Sequence, residues 1–277
     1  MKPTRTLIGL LTAATLLVAP ALAQAGETLD RVTSTGTLTL SSDPAYPPQS
    51  FLNDDNEMDG FDVDVGREIA KRMGVEIEIV TPAWEVITAG NWNGRWDISV
   101  GSMTPTKTRA EVLDFPAVYY YVPASFAVHA DSAIDSKEAL NGKTIGVCGG
   151  CTYENYLNEN LVIDALGAPD FSYDVKAGEI RTYETDTNAF DDLRLGDGTR
   201  LDAVLSAQPT IQEAIKNGYP MEIVGTPAFY EPLAVATDKG DEEFDAKIKE
   251  IINAMHEDGT LSELSEKWYG VDYTTTE

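Results

Sequence analysis

The chain has 277 residues, of which 43% are hydrophobic, and its 20 basic and 46 acidic side chains give a formal net charge of −26 at pH 7. This length and composition are ordinary for a globular protein with one large domain or two smaller ones. A surface this acidic repels phosphate backbones, which argues against nucleic acid as a partner.

The N-terminal segment 1–25 has the pattern of a secretory signal peptide. Basic residues at positions 2 and 5 precede an apolar run over 7–22. Small residues at the expected cleavage region are Ala21, Ala23 and Ala25. A basic start, a short apolar stretch and a small-x-small site direct export, and the run is too short and interrupted for a membrane anchor. We therefore expect a periplasmic protein whose mature chain begins at Gln24 or Gly26.

Strand-like and helix-like patterns alternate along the rest of the chain. Short apolar or alternating segments predict strands at 37–41, 76–80, 97–101, 144–148, 201–205 and 233–237. Apolar residues at four-residue spacing predict a helix that Asp62 caps and Gly74 ends. A longer amphipathic pattern over 244–255 stops at Gly259. This alternation predicts α/β architecture with largely parallel sheets, in which ligands bind beyond the carboxyl ends of strands.

The loop after the first predicted strand carries an aromatic side chain on a stiff backbone. Tyr46 precedes two prolines in the segment 43–51. Its ring can pack in the core, or it can form one wall of a pocket at the end of the strand. The segment 201–208 is another strand end that we expect to face the same cleft.

The segment 101–109 places three hydroxyls before one arginine, Arg109, just past a predicted strand. These hydroxyls belong to Ser102, Thr104 and Thr106. A guanidinium binds a carboxylate with two parallel hydrogen bonds, and hydroxyls and loop amides can complete the shell of an anion. From this segment alone, an exposed arginine beside Glu111 is the simpler interpretation.

The segment 147–152 runs from a strand into a helix and contains both cysteines, Cys148 and Cys151. An exported protein meets an oxidising compartment, so a structural disulfide, a pair of free thiols and a catalytic dithiol are the alternatives, in that order. Two thiolates supply half of a typical zinc site, and His129 and His256 show no motif spacing. We therefore expect no metal and no cofactor.

Taken together and in this order, these segments resemble the periplasmic solute-binding proteins that serve polar amino-acid ABC importers, known as bacterial extracellular solute-binding proteins, family 3. Further landmarks of the resemblance are at 60–64, 96–97, 109–115, 142–146, 196–203, 258–261 and 267–270. The resemblance implies an α/β, two-lobed periplasmic-binding-protein fold (type II), each lobe a mostly parallel sheet flanked by helices and joined by two hinge strands. Lobe 1 would hold residues 26–121 and 229–277, and lobe 2 residues 122–228.

The resemblance also implies which side chains touch the ligand. Arg109 matches the carboxylate-binding arginine, and Tyr46 and Trp84 match the two aromatics that sandwich the ligand. The remaining positions expected around the ligand are Asp43, Ser102, Thr104, Thr152 and, after lobe 2 closes, Ser206. A disulfide between the two cysteines would stiffen the loop that meets the carboxylate.

One position departs from the family pattern. Ala207 stands where the family usually places an acid that holds the ligand's α-ammonium. A methyl group cannot balance a buried ammonium, and an unpaired buried charge is costly. Either another acid substitutes for it, or the ligand lacks a free α-amine. A zwitterion with a delocalised or quaternary cation could instead stack on the aromatics. The candidate substitutes are Asp43, Glu85, Glu154 and Glu184.

The implied function is the capture of a small polar carboxylate, an amino acid or a similar zwitterion, for delivery to the membrane permease of an ABC importer. We expect a monomer without enzymatic activity. One alternative is a dehydratase of a small carboxylate on the same scaffold, with Glu85 or Glu154 as the general acid near Arg109. Another alternative is a periplasmic module that reports its ligand to a signalling partner.

Overall fold

The computed structural model describes residues 26–165 and 167–275, so the expected signal peptide lies outside the described residues. The first part of the chain forms α1 (Glu27–Thr35), β1 (Thr37–Ser41), β2 (Ala45–Tyr46), β3 (Ser50–Leu52), β4 (Met58–Asp59), α2 (Phe61–Met73), β5 (Glu76–Val80), α3 (Trp84–Thr88) and β6 (Ile98–Met103). The middle forms β7 (Leu113–His129), β8 (Thr144–Cys148), α4 (Thr152–Leu157), β9 (Glu179–Tyr183), α5 (Asp186–Leu193), β10 (Ala203–Ala207) and α6 (Gln208–Lys216). The last part forms β11 (Met221–Asp238), α7 (Glu242–Glu257) and α8 (Thr260–Tyr269).

One eight-stranded sheet runs through the molecule in the order β5-β1-β6-β11-β7-β10-β8-β9. At one end β5, β1 and β6 are parallel, and at the other end β10, β8 and β9 are parallel. The central pairs β6–β11, β11–β7 and β7–β10 are antiparallel. Here lobe 1 means β1–β6 with α1–α3, α7 and α8, and lobe 2 means β8–β10 with α4–α6. The long strands β7 and β11 join the two lobes.

The prediction of mostly parallel sheets is correct for the two outer triplets of strands. Those triplets nevertheless belong to one sheet, because β7 (17 residues) and β11 (18 residues) carry hydrogen bonding across the middle. Only the end of β11 was predicted, and β7 was not predicted as a strand. Prolines interrupt the alternating pattern of both strands, and the pairing register of β11 shifts where its sequence contains Gly225 and Pro227.

The strands at 37–41, 76–80 and 144–148 lie where the sequence predicts them, and β6 and β10 begin one or two residues later than predicted. The apolar face of α7 is buried as expected; its members are Phe244, Ile248, Ile251, Ile252 and Met255. In the described ranges, no helix is both long and apolar enough to cross a membrane.

The expected cap of α2 is wrong. The N-cap residue is Gly60, at φ 125°, and no side chain caps this end of the helix. Asp62 is fully buried instead, and its carboxylate accepts hydrogen bonds from Ser102 and Tyr119. Gly74 does end the helix, in the left-handed conformation, as predicted.

Gly60 at the start of α2 has a positive φ and leaves no room for a side chain. Comparison with a second glycine at positive φ distinguishes these two constraints. A Cβ atom at Gly60 would lie 2.4 Å from the backbone oxygen of Gln49, whereas a Cβ at Gly74, also at positive φ, would meet nothing within 4 Å. We expect Gly60→Ala to lower the free energy of unfolding by about 2 kcal/mol more than Gly74→Ala does, measured by urea unfolding. Equal losses in the two variants would contradict the steric explanation.

Candidate functional site

A cavity with an empty volume of about 510 Å³, which includes solvent at its mouth, lies between the two lobes. Seven of the predicted ligand-binding residues line it: Asp43, Tyr46, Trp84, Ser102, Thr104, Arg109 and Thr152. The eighth, Ser206, is buried in β10 and is not part of the cavity wall.

Arg109 lies in a single 3-10 turn after β6 and is only 7% exposed, so the simpler interpretation of an exposed arginine is wrong. Its guanidinium donates to the carbonyl oxygen of Thr104 (3.0 Å) and, across the cleft, to that of Gly150 (3.0 Å). The guanidinium carbon of Arg109 lies 5.1 Å from the centroid of the Trp84 ring. No described carboxylate forms an ion pair with Arg109, and burial lowers its pKa to about 10. The site therefore contains a desolvated cation that forms no direct salt bridge, although the charge of Glu231 acts on it.

Tyr46 and Trp84 form aromatic parts of the wall, as the resemblance implies. The hydroxyl of Tyr46 lies 3.3 Å from that of Tyr153, which reaches it from lobe 2. The indole nitrogen of Trp84 is buried without a hydrogen-bond partner among the described residues. Trp84 therefore offers both a flat face and a free donor at the edge of the cavity.

Glu231 is a cavity residue that the sequence did not single out. It lies in β11, is 2% exposed, and accepts hydrogen bonds from Thr104 of lobe 1 (2.8 Å) and from Thr152 of lobe 2. Burial raises the pKa of Glu231, while these two hydroxyls and Arg109 act in the opposite direction. A lone acid in a strand segment otherwise made of aromatic, proline and apolar residues is the signal that would have found it.

Asp186 is a second acid that the sequence reasoning missed. It is the first residue of α5, and it is 6% exposed although acids at helix starts usually face solvent. Burial raises the pKa of Asp186 to about 7, the carboxylates of Asp43 and Glu231 add to the rise, and the nearby Ser206 hydroxyl opposes it.

Of the four acids proposed to substitute for Ala207, two line the cavity and two do not. Asp43 and Glu184 are cavity residues, and burial together with the Glu184 charge raises the pKa of Asp43. Glu85 is exposed, and Glu154 accepts a hydrogen bond from the amide of Gly150 at 2.7 Å. The cavity therefore contains four carboxylates, and none of them forms an ion pair with a described lysine or arginine.

Cys148 and Cys151 form a disulfide, with their Cα atoms 5.6 Å apart, and both residues line the cavity. The bond closes the loop whose Gly150 carbonyl accepts from Arg109. A short closed loop has few conformations, so the carbonyl stays in place at a low ordering cost. Across the described ranges, no group of three or more His, Cys, Asp or Glu side chains has the arrangement of a metal site.

Ser102 lines the cavity, but its polar groups face the interior of lobe 1. Its backbone is left-handed (φ 53°), its amide donates to the Tyr119 hydroxyl at 2.9 Å, and its hydroxyl donates to Asp62 at 2.7 Å. Tyr119 also donates to Asp62 at 2.7 Å. Burial raises the pKa of Asp62 to about 7. This network fixes the backbone of the loop that leads to Arg109.

The raised pKa of Asp62 predicts how stability depends on pH. Its folded pKa of about 7 lies above its ordinary value of 3.8, so its contribution to stability is lost as pH rises through that interval. We expect the urea midpoint to fall between pH 5 and pH 8, and Asp62→Asn to remove part of that fall. Asp55→Asn, in an exposed loop, should leave the fall unchanged. An Asp62→Asn variant with the full pH dependence would contradict this assignment.

Comparison with known proteins agrees with this architecture. The family model of bacterial extracellular solute-binding proteins, family 3, matches residues 38–271. The L-cystine-binding protein TcyJ of Escherichia coli is 30% identical over 249 residues, which cover 89% of this chain and 87% of that protein. The L-arginine-binding protein of Pseudomonas aeruginosa is 27% identical over 242 residues, 84% of this chain and 88% of the other.

Two solved structures show the same fold. A P235GK mutant of ArgBP from T. maritima superposes with a TM-score of 0.75 at 26% identity, covering 88% of this chain and 99% of that one. The ancestral amino acid-binding protein AncCDT-1, a precursor of cyclohexadienyl dehydratase, gives a TM-score of 0.75 at 31% identity, covering 87% and 99%. They confirm the predicted two-lobed class, whereas the predicted lobe limits stay a prediction. The chain belongs to the bacterial extracellular solute-binding proteins of family 3.

Proposed function

We propose that this protein is the periplasmic substrate-binding component of an ABC importer, which captures an amino acid or an amino-acid-like zwitterion between its two lobes. The observation that carries the proposal is the set of unpaired buried charges in one cavity. None of Arg109, Asp186 and Glu231 forms a salt bridge with a described residue, although Arg109 and Glu231 act on each other electrostatically. An unpaired buried charge is costly, and a zwitterionic ligand supplies the missing partner of each sign.

In this mechanism the ligand carboxylate binds Arg109, whose guanidinium uses only part of its donors on Thr104 and Gly150. Glu231 then takes the α-ammonium. It is the carboxylate that Arg109 influences electrostatically, and it lies where the two threonine hydroxyls meet. Glu231 thereby replaces the acid that Ala207 lacks, and a ligand without a free α-amine is not required.

Contacts between the lobes support capture by closure. Besides the bond from Arg109 to Gly150, the amide of Lys107 donates to Val162 at 3.0 Å, and the amide of Asp164 donates to Pro105 at 2.8 Å. The open protein presents Arg109, Tyr46 and Trp84 on lobe 1, and hinge motion of β7 and β11 then brings lobe 2 over the ligand. The closed form is the one we propose the permease recognises, and the protein acts as a monomer without a cofactor.

We propose binding without chemistry. The relatives named above are described as binding proteins, with one described as a precursor of a dehydratase. The general acids considered for a dehydratase, Glu85 and Glu154, lie outside the cavity wall. A sensing role would use the same capture step, and a pull-down with importer or receptor separates the two.

Replacement of Arg109 tests the proposed function. Arg109→Ala should weaken amino-acid binding by about 100-fold or more, because the ligand carboxylate would be buried without its partner. Arg109→Lys should recover little, since an ammonium cannot bind a carboxylate through two parallel hydrogen bonds. The measurement is calorimetric titration of the ligand-stripped protein with the amino acid that raises its melting temperature most.

Arg95→Ala is the matched control, because Arg95 also lies over a tryptophan ring, Trp96, at 4.8 Å, but outside the cavity. It should bind like the wild type. Near-wild-type affinity in Arg109→Ala would contradict the proposed function, as would a wild-type protein that no amino acid stabilises.

A further inference from the structure

The cavity wall contains more acidic than basic side chains. Four acids, Asp43, Glu184, Asp186 and Glu231, face one base, Arg109. A monoamino monocarboxylic acid uses one charge of each sign, on Arg109 and Glu231. Asp43, Asp186 and the more exposed Glu184 would then stay in the cleft without a cation.

These three acids come from both sides of the cleft. Asp43 follows β1 in lobe 1, whereas in lobe 2 Glu184 follows β9 and Asp186 begins α5. Burial raises the pKa of Asp43 and of Asp186; the charge of Glu184 adds to the rise at Asp43, and the charge of Asp43 adds to the rise at Asp186. Closure of the lobes brings like charges together, which opposes closure unless something positive lies between them.

Local structure does not account for this arrangement. Asp43 accepts a hydrogen bond from the amide of Ala45 at 2.7 Å, which fits an ordinary loop turn. The first turn of α5 is capped by Thr185, whose hydroxyl accepts from the amide of Asn188, so the helix does not depend on Asp186 for its cap. Asp186 is buried, faces the cavity and pairs with no described cation.

We propose, resting on the function proposed above, that the ligand carries one carboxylate and two cationic groups, as lysine, ornithine and arginine do, and that Asp43, Glu184 and Asp186 hold the second cation. Tyr46 and Trp84 form walls along which the aliphatic part of such a ligand lies.

The charge count also disfavours two other classes of ligand. Cystine has two ammonium groups but also two carboxylates, and the described cavity wall contains one arginine and no lysine to receive the two carboxylates. Its second carboxylate would lie among three acids. A betaine has one cation, and it leaves the acids from both lobes unmatched. Ligand class therefore follows from the side chains of this cavity and differs from that of the L-cystine-binding relative.

The test compares ligands that differ in one charge. Lysine and norleucine have the same chain length, but norleucine lacks the terminal ammonium. With ligand-stripped mature protein in calorimetric titrations, lysine should bind about 100-fold more tightly than norleucine, and arginine should exceed citrulline similarly. Cystine should bind more weakly than lysine.

Substitutions of the cavity acids test which side chains hold the second cation of the ligand. Asp186→Asn should weaken the binding of lysine at least about tenfold and change the affinity for norleucine less than about threefold, because only lysine has a cation beside this side chain. Asp43→Asn should act in the same direction and serves if the first variant fails to fold. Asp197→Asn, which removes an exposed acid of the same lobe outside the cavity, is the matched control and should bind both ligands like the wild type.

The outcomes separate this inference from the proposed function. If norleucine bound as tightly as lysine, or cystine bound more tightly than lysine, the inference would be wrong, but the proposed capture of an amino acid would still hold. Equal losses for both ligands in the two Asn variants would overturn the assignment of the acids. Failure of every amino acid to bind the folded wild-type protein would overturn both.

Discussion

A buried arginine without an ionic partner determines the arrangement of the cleft. The turn after β6 directs Arg109 inward, and the main-chain carbonyls of Thr104 and Gly150 each accept one of its hydrogen bonds. Carbonyl oxygens orient a guanidinium but do not neutralise it. The disulfide loop, the Trp84 ring and the strand end that supplies Thr104 all contact this one side chain. A carboxylate from outside the chain is the partner that completes the site.

The strand that joins the lobes also contributes a ligand-binding acid in this account. Glu231 belongs to β11, and the two hydroxyls that donate to it, from Thr104 and Thr152, come from opposite lobes. In this structure both hydroxyls donate to the carboxylate at the same time. An ammonium beside Glu231 would compensate its burial, so ligand charge and lobe closure stabilise each other through the same group. In a family member that carries an acid at the position of Ala207, ligand charge and lobe closure would be coupled through that acid of lobe 2 and not through the acid of β11.

The sequence predicted the outer strands because they depend on local patterns, whereas Arg109 was singled out by the family resemblance and not by its own segment. Apolar runs at β1, β5 and β8 need no tertiary information. The sequence could not show that β7 is a strand, since its prolines hide a pairing that forms only with distant β11. Asp62 was misassigned as a cap because burial, which depends on Ser102 and Tyr119, is not visible in a helix pattern.

The two missed acids have the same explanation. Asp186 looks like an ordinary first-turn acid, and Glu231 looks like one of many acids in a chain of net charge −26. What distinguishes them is that folding removes them from water beside Arg109 and Asp43. In so acidic a chain the sequence does not show which acids belong to the site. Only the three-dimensional structure distinguishes these two buried carboxylates from the acids on the solvated surface.

The central claim is that ligand cations match the carboxylates of the cleft, and a count of protons exchanged on binding tests it most directly. Burial holds Asp186 near a pKa of about 7, so at pH 7 part of the ligand-free protein carries a proton there. A cation placed beside it lowers that pKa and drives the proton off. Lysine titrated at pH 7 in buffers of different ionisation enthalpy should release a fraction of a proton per ligand bound. Binding without proton exchange, or with proton uptake, would contradict the account.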